Sequence, residues 1–255
     1  MGTAAEPPPR TAIVTGGARR IGAELCRALA ADGWHVLVHC NRSVEDAQAL
    51  REELGSATVV QADLAAPDAA DRVMAALDGL PPLALLVNNA SRFVLDSADD
   101  FSAAEWDAHL DANLRGPALL SQAFAARASA GGVIVNMLDA KVRQPNPDFF
   151  TYTVSKLGLA GLTELCARAW GDRGIRVCAI APAVTLVSGE QSRENFEAVH
   201  ALNPLGRGVR VEHIVAALRF ILATPTLTGE TILIDGGQRF LGLPRDVQFL
   251  GGGDE

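Results

Sequence analysis

T-A-I-V-T-G-G-A-R-R-I-G, residues 11–22, is the stretch on which the fold turns. Thr11–Thr15 are mostly apolar and β-branched and read as a buried strand. Gly16 and Gly17 break it, and A-E-L-C-R-A-L-A-A-D-G then carries the apolar spacing of a helix that stops at its glycine. A glycine-rich turn from strand to helix lets backbone approach a pyrophosphate, and the helix start offers it unpaired N–H groups and a positive dipole end. Such a turn alone serves equally well as a tight connection. Outward from it, strand-sized apolar runs recur: H-V-L-V-H-C (35–40), T-V-V-Q (58–61), L-A-L-L-V (83–87), V-I-V-N (133–136) and I-R-V-C-A-I-A (175–181). Helical spacing is read over 102–130 in two pieces, from Leu157 to Ala169, over 190–201 and over 211–223.

Chain-wide properties narrow the class. The 255 residues, 49% of them apolar, fit one large α/β domain with a sizeable core. A net charge of −8 argues against nucleic acid and anionic membranes as partners. No apolar run is long enough for a membrane span, and Met1–Pro9 reads as a flexible, Pro-rich tail rather than a signal or transit peptide. Cys26, Cys40, Cys166 and Cys178 fall in apolar segments without C-x-x-C spacing, as reduced core residues in a cytoplasmic protein would. No metal site is expected.

T-Y-T-V-S-K, residues 151–156, holds the chain's only tyrosine and one of its two lysines. Tyr152 and Lys156 stand four apart at the start of a helical pattern, on one face. An ammonium near a phenol favours the phenolate, so the expectation is that Lys156 lowers the Tyr152 pKa and readies a proton for exchange. Asp139 lies in the loop after V-I-V-N-M-L. A carboxyl there accepts hydrogen bonds when ionised and supplies a proton when protonated.

These segments together resemble the short-chain dehydrogenase/reductases. Thr15, Gly16 and Gly22 match T-G-x-x-x-G-x-G; Asn88-Asn89-Ala90-Ser91 is similar to N-N-A-G; Asn113 lies in D-A-N-L; Tyr152 and Lys156 form Y-x-x-x-K. Thr228, Gly229 and Asp235-Gly236-Gly237 match the family's closing strand. The resemblance runs roughly from Arg10 to Arg239 and implies a single-domain Rossmann fold, a doubly wound parallel sheet with helices on both faces. Residues 240–255 would be a C-terminal tail that closes over a subunit interface, its G-G-G-D-E end disordered. Three departures are informative. Arg20 replaces the middle glycine, Ser91 replaces the last residue of N-N-A-G, and Asp139 stands where the family carries a serine. All three resemble the pteridine reductases and dihydromonapterin reductases.

The resemblance assigns roles. The turn at Gly16, Arg19, Arg20 and Ile21 would face the cofactor phosphates, Asp63 and Leu64 the adenine, and Asn89, Ala90 and Ser91 the ribose. Pro182 and Thr185 would lie along the nicotinamide. Asn41, Arg42 and Ser43 end the second strand without the carboxylate that favours NAD, and Arg42 suits a 2′-phosphate, so NADPH is expected. Arg20, Ser91, Phe93, Asp139 and Tyr152 would hold a pterin, with Phe93 stacked on it. Asp139, Tyr152, Lys156 and Asn113 would be catalytic, Asn113 by holding a water beside Lys156. The implied activity is reduction of a dihydropterin in a homotetramer. The alternatives are a carbonyl or sugar-alcohol reductase of the same family and a non-catalytic NADPH sensor.

Overall fold

A computed structural model describes residues 9–128, 131–188 and 191–250. The expected tail over Met1–Pro8, the last residues of the helical reading at Ser129 and Ala130, the start of the helical reading at Glu190 and the terminal G-G-G-D-E lie outside the described residues. The strand-and-helix alternation gives β1 (Arg10–Val14), α1 (Arg20–Ala31), β2 (Trp34–Cys40), α2 (Val44–Leu54), β3 (Ala57–Gln61), α3 (Ala69–Ala75) and β4 (Leu83–Asn88). The second half adds α4 (Ala103–Leu110), α5 (Gly116–Arg127), β5 (Val133–Met137), α6 (Phe150–Trp170), β6 (Arg176–Pro182), α7 (Arg193–Val199), α8 (Val211–Ala223) and β7 (Thr231–Ile234).

The strands form one parallel sheet in the order β3-β2-β1-β4-β5-β6-β7. The winding of the chain reverses between β1 and β4, the strands themselves staying parallel, which opens a crevice at their carboxyl ends. Both sheet faces are buried, so successive strand residues alternate between two apolar layers. Ala12, Val14, Val36, Val38, Leu85 and Val87 pack with Leu25 and Leu29 of α1 and Ile214, Leu218 and Ile221 of α8. Ile13, Leu37, Leu86 and Ile134 point the other way, onto Val73 of α3, Leu120 and Phe124 of α5 and Cys166 of α6. Burying an aliphatic side chain is worth about 1.5–3 kcal/mol, so this double core dominates stability.

The segment read as helix in two pieces is interrupted at Asp111–Arg115 by a π-helical turn, with the Gly116 N–H reaching back to the Asp111 carbonyl. Pro117 supplies the reason: it has no N–H for the Asn113 carbonyl that an α-helix would present to it. The four cysteines are buried and unpaired. Among the described residues, no helix is long and apolar enough to cross a membrane, and no group of three His, Cys, Asp or Glu residues could hold a metal ion.

Candidate active site

The residues expected to bind or react come from the carboxyl ends of β1, β2, β3, β4, β5 and β6, from the start of α6 and, for Asn113, from the π-helical turn. All of them except Asn113 line one cavity of about 890 Å3. At its floor the Gly-rich turn is stitched to β4. The Thr15 hydroxyl accepts from the N–H groups of Asn89 (2.9 Å) and Ala90 (3.0 Å), and the Asn89 amide donates to the carbonyls of Thr15 (2.9 Å) and Gly16 (3.2 Å). A Cβ on Gly22 would lie 2.1 Å from the Gly16 oxygen, so only glycine lets α1 start this close to the turn. Arg20 opens α1 at φ +54°, a left-handed conformation that a side chain disfavours. Its place in the sequence is the one where the family pattern has glycine, and the glycine-like backbone persists there under an arginine.

Arg19 reaches across to pair with Asp46 of α2 at 2.5 Å. Arg42, exposed at the end of β2, has no ion pair among the described residues. Asn41 and Ser43 flank it. Asp63 is exposed and accepts the Ala65 N–H at 3.0 Å, Leu64 is buried, and the Thr185 hydroxyl turns to the Ala183 carbonyl at 2.8 Å. The close-packed glycine turn beside a free guanidinium fits a dinucleotide bearing a 2′-phosphate.

His39 ties this end of the cavity together, and the sequence reading gave it no role. Its Nδ1 accepts from the Gly16 N–H at 3.1 Å, and its Nε2 bonds the Ala62 carbonyl at 3.0 Å. The ring is therefore neutral with its proton on Nε2. Burial holds its pKa down at about 4. A lone histidine in V-L-V-H-C, at the strand end that meets the glycine turn, was the available signal.

Tyr152 and Lys156 share one face of α6, buried at 6% and 3% exposure. The Tyr152 hydroxyl donates to Asp139 Oδ2 at 3.0 Å, and the Lys141 N–H donates to Asp139 Oδ1 at 2.9 Å. Burial raises the Asp139 pKa, against the pull of the Lys141 N–H and charge. The expectation that Lys156 lowers the phenol is corrected here. Burial and the neighbouring Asp139 carboxyl push the Tyr152 pKa well up, and the Lys156 ammonium donates instead to the Met137 carbonyl at 2.8 Å. Burial brings Lys156 down to about 8. The Tyr152 phenol therefore keeps its proton, as a donor rather than a base.

Asn113 sits outside the cavity wall, fully buried. Its Oδ1 accepts from the Arg92 N–H (2.7 Å) and the Ser91 hydroxyl (3.3 Å), and its Nδ2 donates to the Arg92 carbonyl (2.9 Å) and Ser155 Oγ (3.0 Å). Both amide atoms are spent, so a relay water cannot hang on this side chain. The side chain clamps the Ser91–Phe93 loop to α6, and a relay water would have to use the Asn113 main chain. Phe93 is stacked on Phe149 (centroids 4.1 Å, 18°) and meets Tyr152 edge-on at 4.7 Å. One of its faces is thus taken by protein. Phe149, in turn, sits at φ +54°.

Through Leu250 the C-terminal segment folds over its own chain's cavity, lining it with Leu243, Arg245, Asp246, Val247 and Gln248. Arg245 grips the Asp148 carboxylate at 2.8 and 2.9 Å, and Lys141 pairs with Asp246 at 3.0 Å. The helical reading over 190–201 is α7, shorter than read, and its Asn195 donates to the Gln248 carbonyl at 2.9 Å.

Comparison with known proteins agrees with this geometry. A Brucella canis protein described as FolM alternative dihydrofolate reductase 1, solved in complex with NADP, superposes with a TM-score of 0.86 at 38% identity, covering 91% of this chain and 94% of that one. D-threitol dehydrogenase of Mycolicibacterium smegmatis is 33% identical over 241 residues, 89% of this chain and 92% of its own length. L-xylulose reductase of Mesocricetus auratus is 33% identical over 240 residues, 89% and 96% of the two chains. Residues 10–198 match the short chain dehydrogenase model. With the fold, the Y-x-x-x-K helix and the glycine turn all in the expected places, the chain belongs to the short-chain dehydrogenase family.

Proposed function

We propose that this chain is an NADPH-dependent reductase of a dihydropterin of the dihydromonapterin or dihydrobiopterin type, with dihydrofolate a further candidate, giving the tetrahydro form. The observation that carries the reading is the Tyr152–Asp139 hydrogen bond of 3.0 Å, a carboxyl where the family has a hydroxyl. The name of the Brucella relative supports it. Bound NADPH supplies a hydride to the ring C=N carbon. Tyr152 gives a proton to the adjacent nitrogen, and Asp139, its own pKa raised, shares and restores that proton through their hydrogen bond. A carboxyl suits a nitrogen that becomes basic as the bond is reduced, whereas a hydroxyl suits a forming alkoxide. The Lys156 ammonium donates to the Met137 carbonyl and lies 5.6 Å from the Tyr152 ring centre, and it would hold the cofactor ribose. Arg42 would hold the 2′-phosphate, and Arg20 and Phe93 the ring.

We also propose a cytoplasmic homotetramer. Leu119 of α5 and Leu157 and Leu165 of α6 are 36%, 40% and 67% exposed, beside Gly158 and Gly161, an apolar face suited to helix packing. The second reading, a ketone or sugar-alcohol reductase, is favoured by the names of the threitol and xylulose relatives. NADPH consumption with dihydrobiopterin, dihydromonapterin and dihydrofolate, beside a panel of ketones, separates the two. Pterin turnover that falls at least about a hundredfold in Asp139→Ala is expected, in line with loss of a proton donor. Ketone turnover with no activity on any pterin would overturn the reading.

A further inference from the structure

Lys141 is the other of the chain's two lysines, and the reduction described above does not use it. Its backbone N–H holds Asp139 Oδ1 at 2.9 Å, so its charge hangs from the same short turn as the acid. That charge is drawn off. Nζ donates to the Asp148 carbonyl at 2.7 Å and pairs with Asp246 Oδ2 at 3.0 Å, the two side chains only 10% and 15% exposed. Asp246 is brought there by the C-terminal segment. Arg245 grips Asp148, the Asp246 N–H donates to Asp148 Oδ2 at 2.7 Å, and Phe249 stacks on Phe149 with centroids 6.2 Å apart.

We propose that Asp246 is a positioning residue for proton supply: seated by the C-terminal segment, it neutralises the Lys141 ammonium beside Asp139, so the Asp139–Tyr152 pair keeps its proton only while that segment is in place. The inference rests on reading Asp139 and Tyr152 as the proton-donating pair. An uncompensated ammonium next to a walled-in carboxyl stabilises its ionised form, and a carboxylate 3.0 Å from that ammonium cancels most of its field. The groups acting on Asp139 are Tyr152 and Lys156 from α6, Lys141 from the turn and Asp246 from the C-terminal segment; Asp148 and Arg245 neutralise one another. Lys141 lowers the Asp139 pKa and Asp246 raises it, and Asp246 raises that of Tyr152 too.

The test is the pH profile of kcat with NADPH and dihydropterin for wild type, Asp246→Asn, Lys141→Gln and the double variant. Asparagine keeps the backbone bond to Asp148 and can still accept from the Gln248 N–H, as Asp246 does at 3.2 Å. Because the protonated pair donates, kcat falls as pH rises through the pair's apparent pKa. In Asp246→Asn this limb moves to lower pH by about one unit, the size of a near-charge effect. In Lys141→Gln it moves to higher pH, and in the double variant it returns towards wild type. A limb that stays put in Asp246→Asn, with only melting temperature or NADPH affinity changed, overturns the proposal. So does an equal displacement in the double variant. A wild type inert on pterins would mean that the substrate reading has failed. The coupling is then read without substrate, from the 13C-carboxyl NMR titration of Asp139, assigned by its loss in Asp139→Asn. A midpoint lowered by Asp246→Asn supports the proposal, and an unmoved one overturns it.

Discussion

Arg42 ends β2 with a guanidinium that no carboxylate of the described chain neutralises, the first acid downstream being Glu45. Arg42→Asp should therefore raise KM for NADPH about tenfold or more and leave NADH far less affected, since the new carboxylate repels a 2′-phosphate but accepts from a 2′-hydroxyl. Equal changes for both cofactors would remove Arg42 from cofactor choice. His39 makes a different prediction, about stability against pH. Its pKa falls from 6.5 in the free side chain to about 4 in the fold, so between those values the unfolded chain binds the extra proton. The stability it protects is full above about pH 6.5 and is lost as pH falls towards 4. His39→Asn, which can still accept from the Gly16 N–H, should flatten that decline in melting temperature; an unchanged slope would rule the imidazole out as its source. Residue by residue, the reacting groups were legible because rare residue types at fixed spacings carried them: one tyrosine, a lysine four residues on, an aspartate in a serine's place. His39 was not, because its partners are the Gly16 N–H and the Ala62 carbonyl, backbone atoms that no residue type announces.

Helix α6 presents Tyr152 in its first turn, yet its N-cap, Phe149, is left-handed and makes no side-chain cap. The cap comes from the neighbouring loop. Asp96 accepts from the Thr151 N–H at 3.1 Å and from the Thr151 hydroxyl, its carbonyl takes the Phe150 N–H at 3.3 Å, and His109 Nδ1 lies 2.8 Å from the same hydroxyl. A carboxylate at a helix start satisfies orphan donors and meets the positive dipole end. Asp96→Ala leaves those buried donors unmet at a cost of about 1–3 kcal/mol and loosens the turn that aims Tyr152. The expected outcome is a lower melting temperature with kcat reduced and NADPH affinity kept; an unchanged kcat would show that Tyr152 is aimed without this cap. Element boundaries were largely legible: the last helix, Val211–Ala223, fell on the residues its apolar spacing marked. The π-helical turn was legible only as a break, because a proline marks where a helix bond is missing and not which wider bond replaces it.

The whole molecule follows from one sheet buried on both faces; its α/β class was readable because apolar runs alternated with helices, while the order of its strands was not. The seating of the C-terminal segment was not readable, since its ion pairs join residues about a hundred positions apart, Lys141 with Asp246 and Asp148 with Arg245. Tail charges of this kind look like solvated surface in a sequence. For the proposed tetramer, α5 and α6 supply surface that is apolar and open. Leu165 is 67% exposed, and an added Cβ at Gly161 would meet nothing within 4 Å, so a second helix can approach this face closely. Leu165→Arg should shift the particle from tetramer to a smaller species in sedimentation or light scattering at micromolar concentration, because a guanidinium cannot be buried there unpaired. The cavity lies on other walls, so NADPH affinity should persist in the smaller species. A Leu165→Arg protein that stays tetrameric would remove this face from the assembly, and loss of NADPH binding along with the tetramer would mean that the site depends on its neighbours.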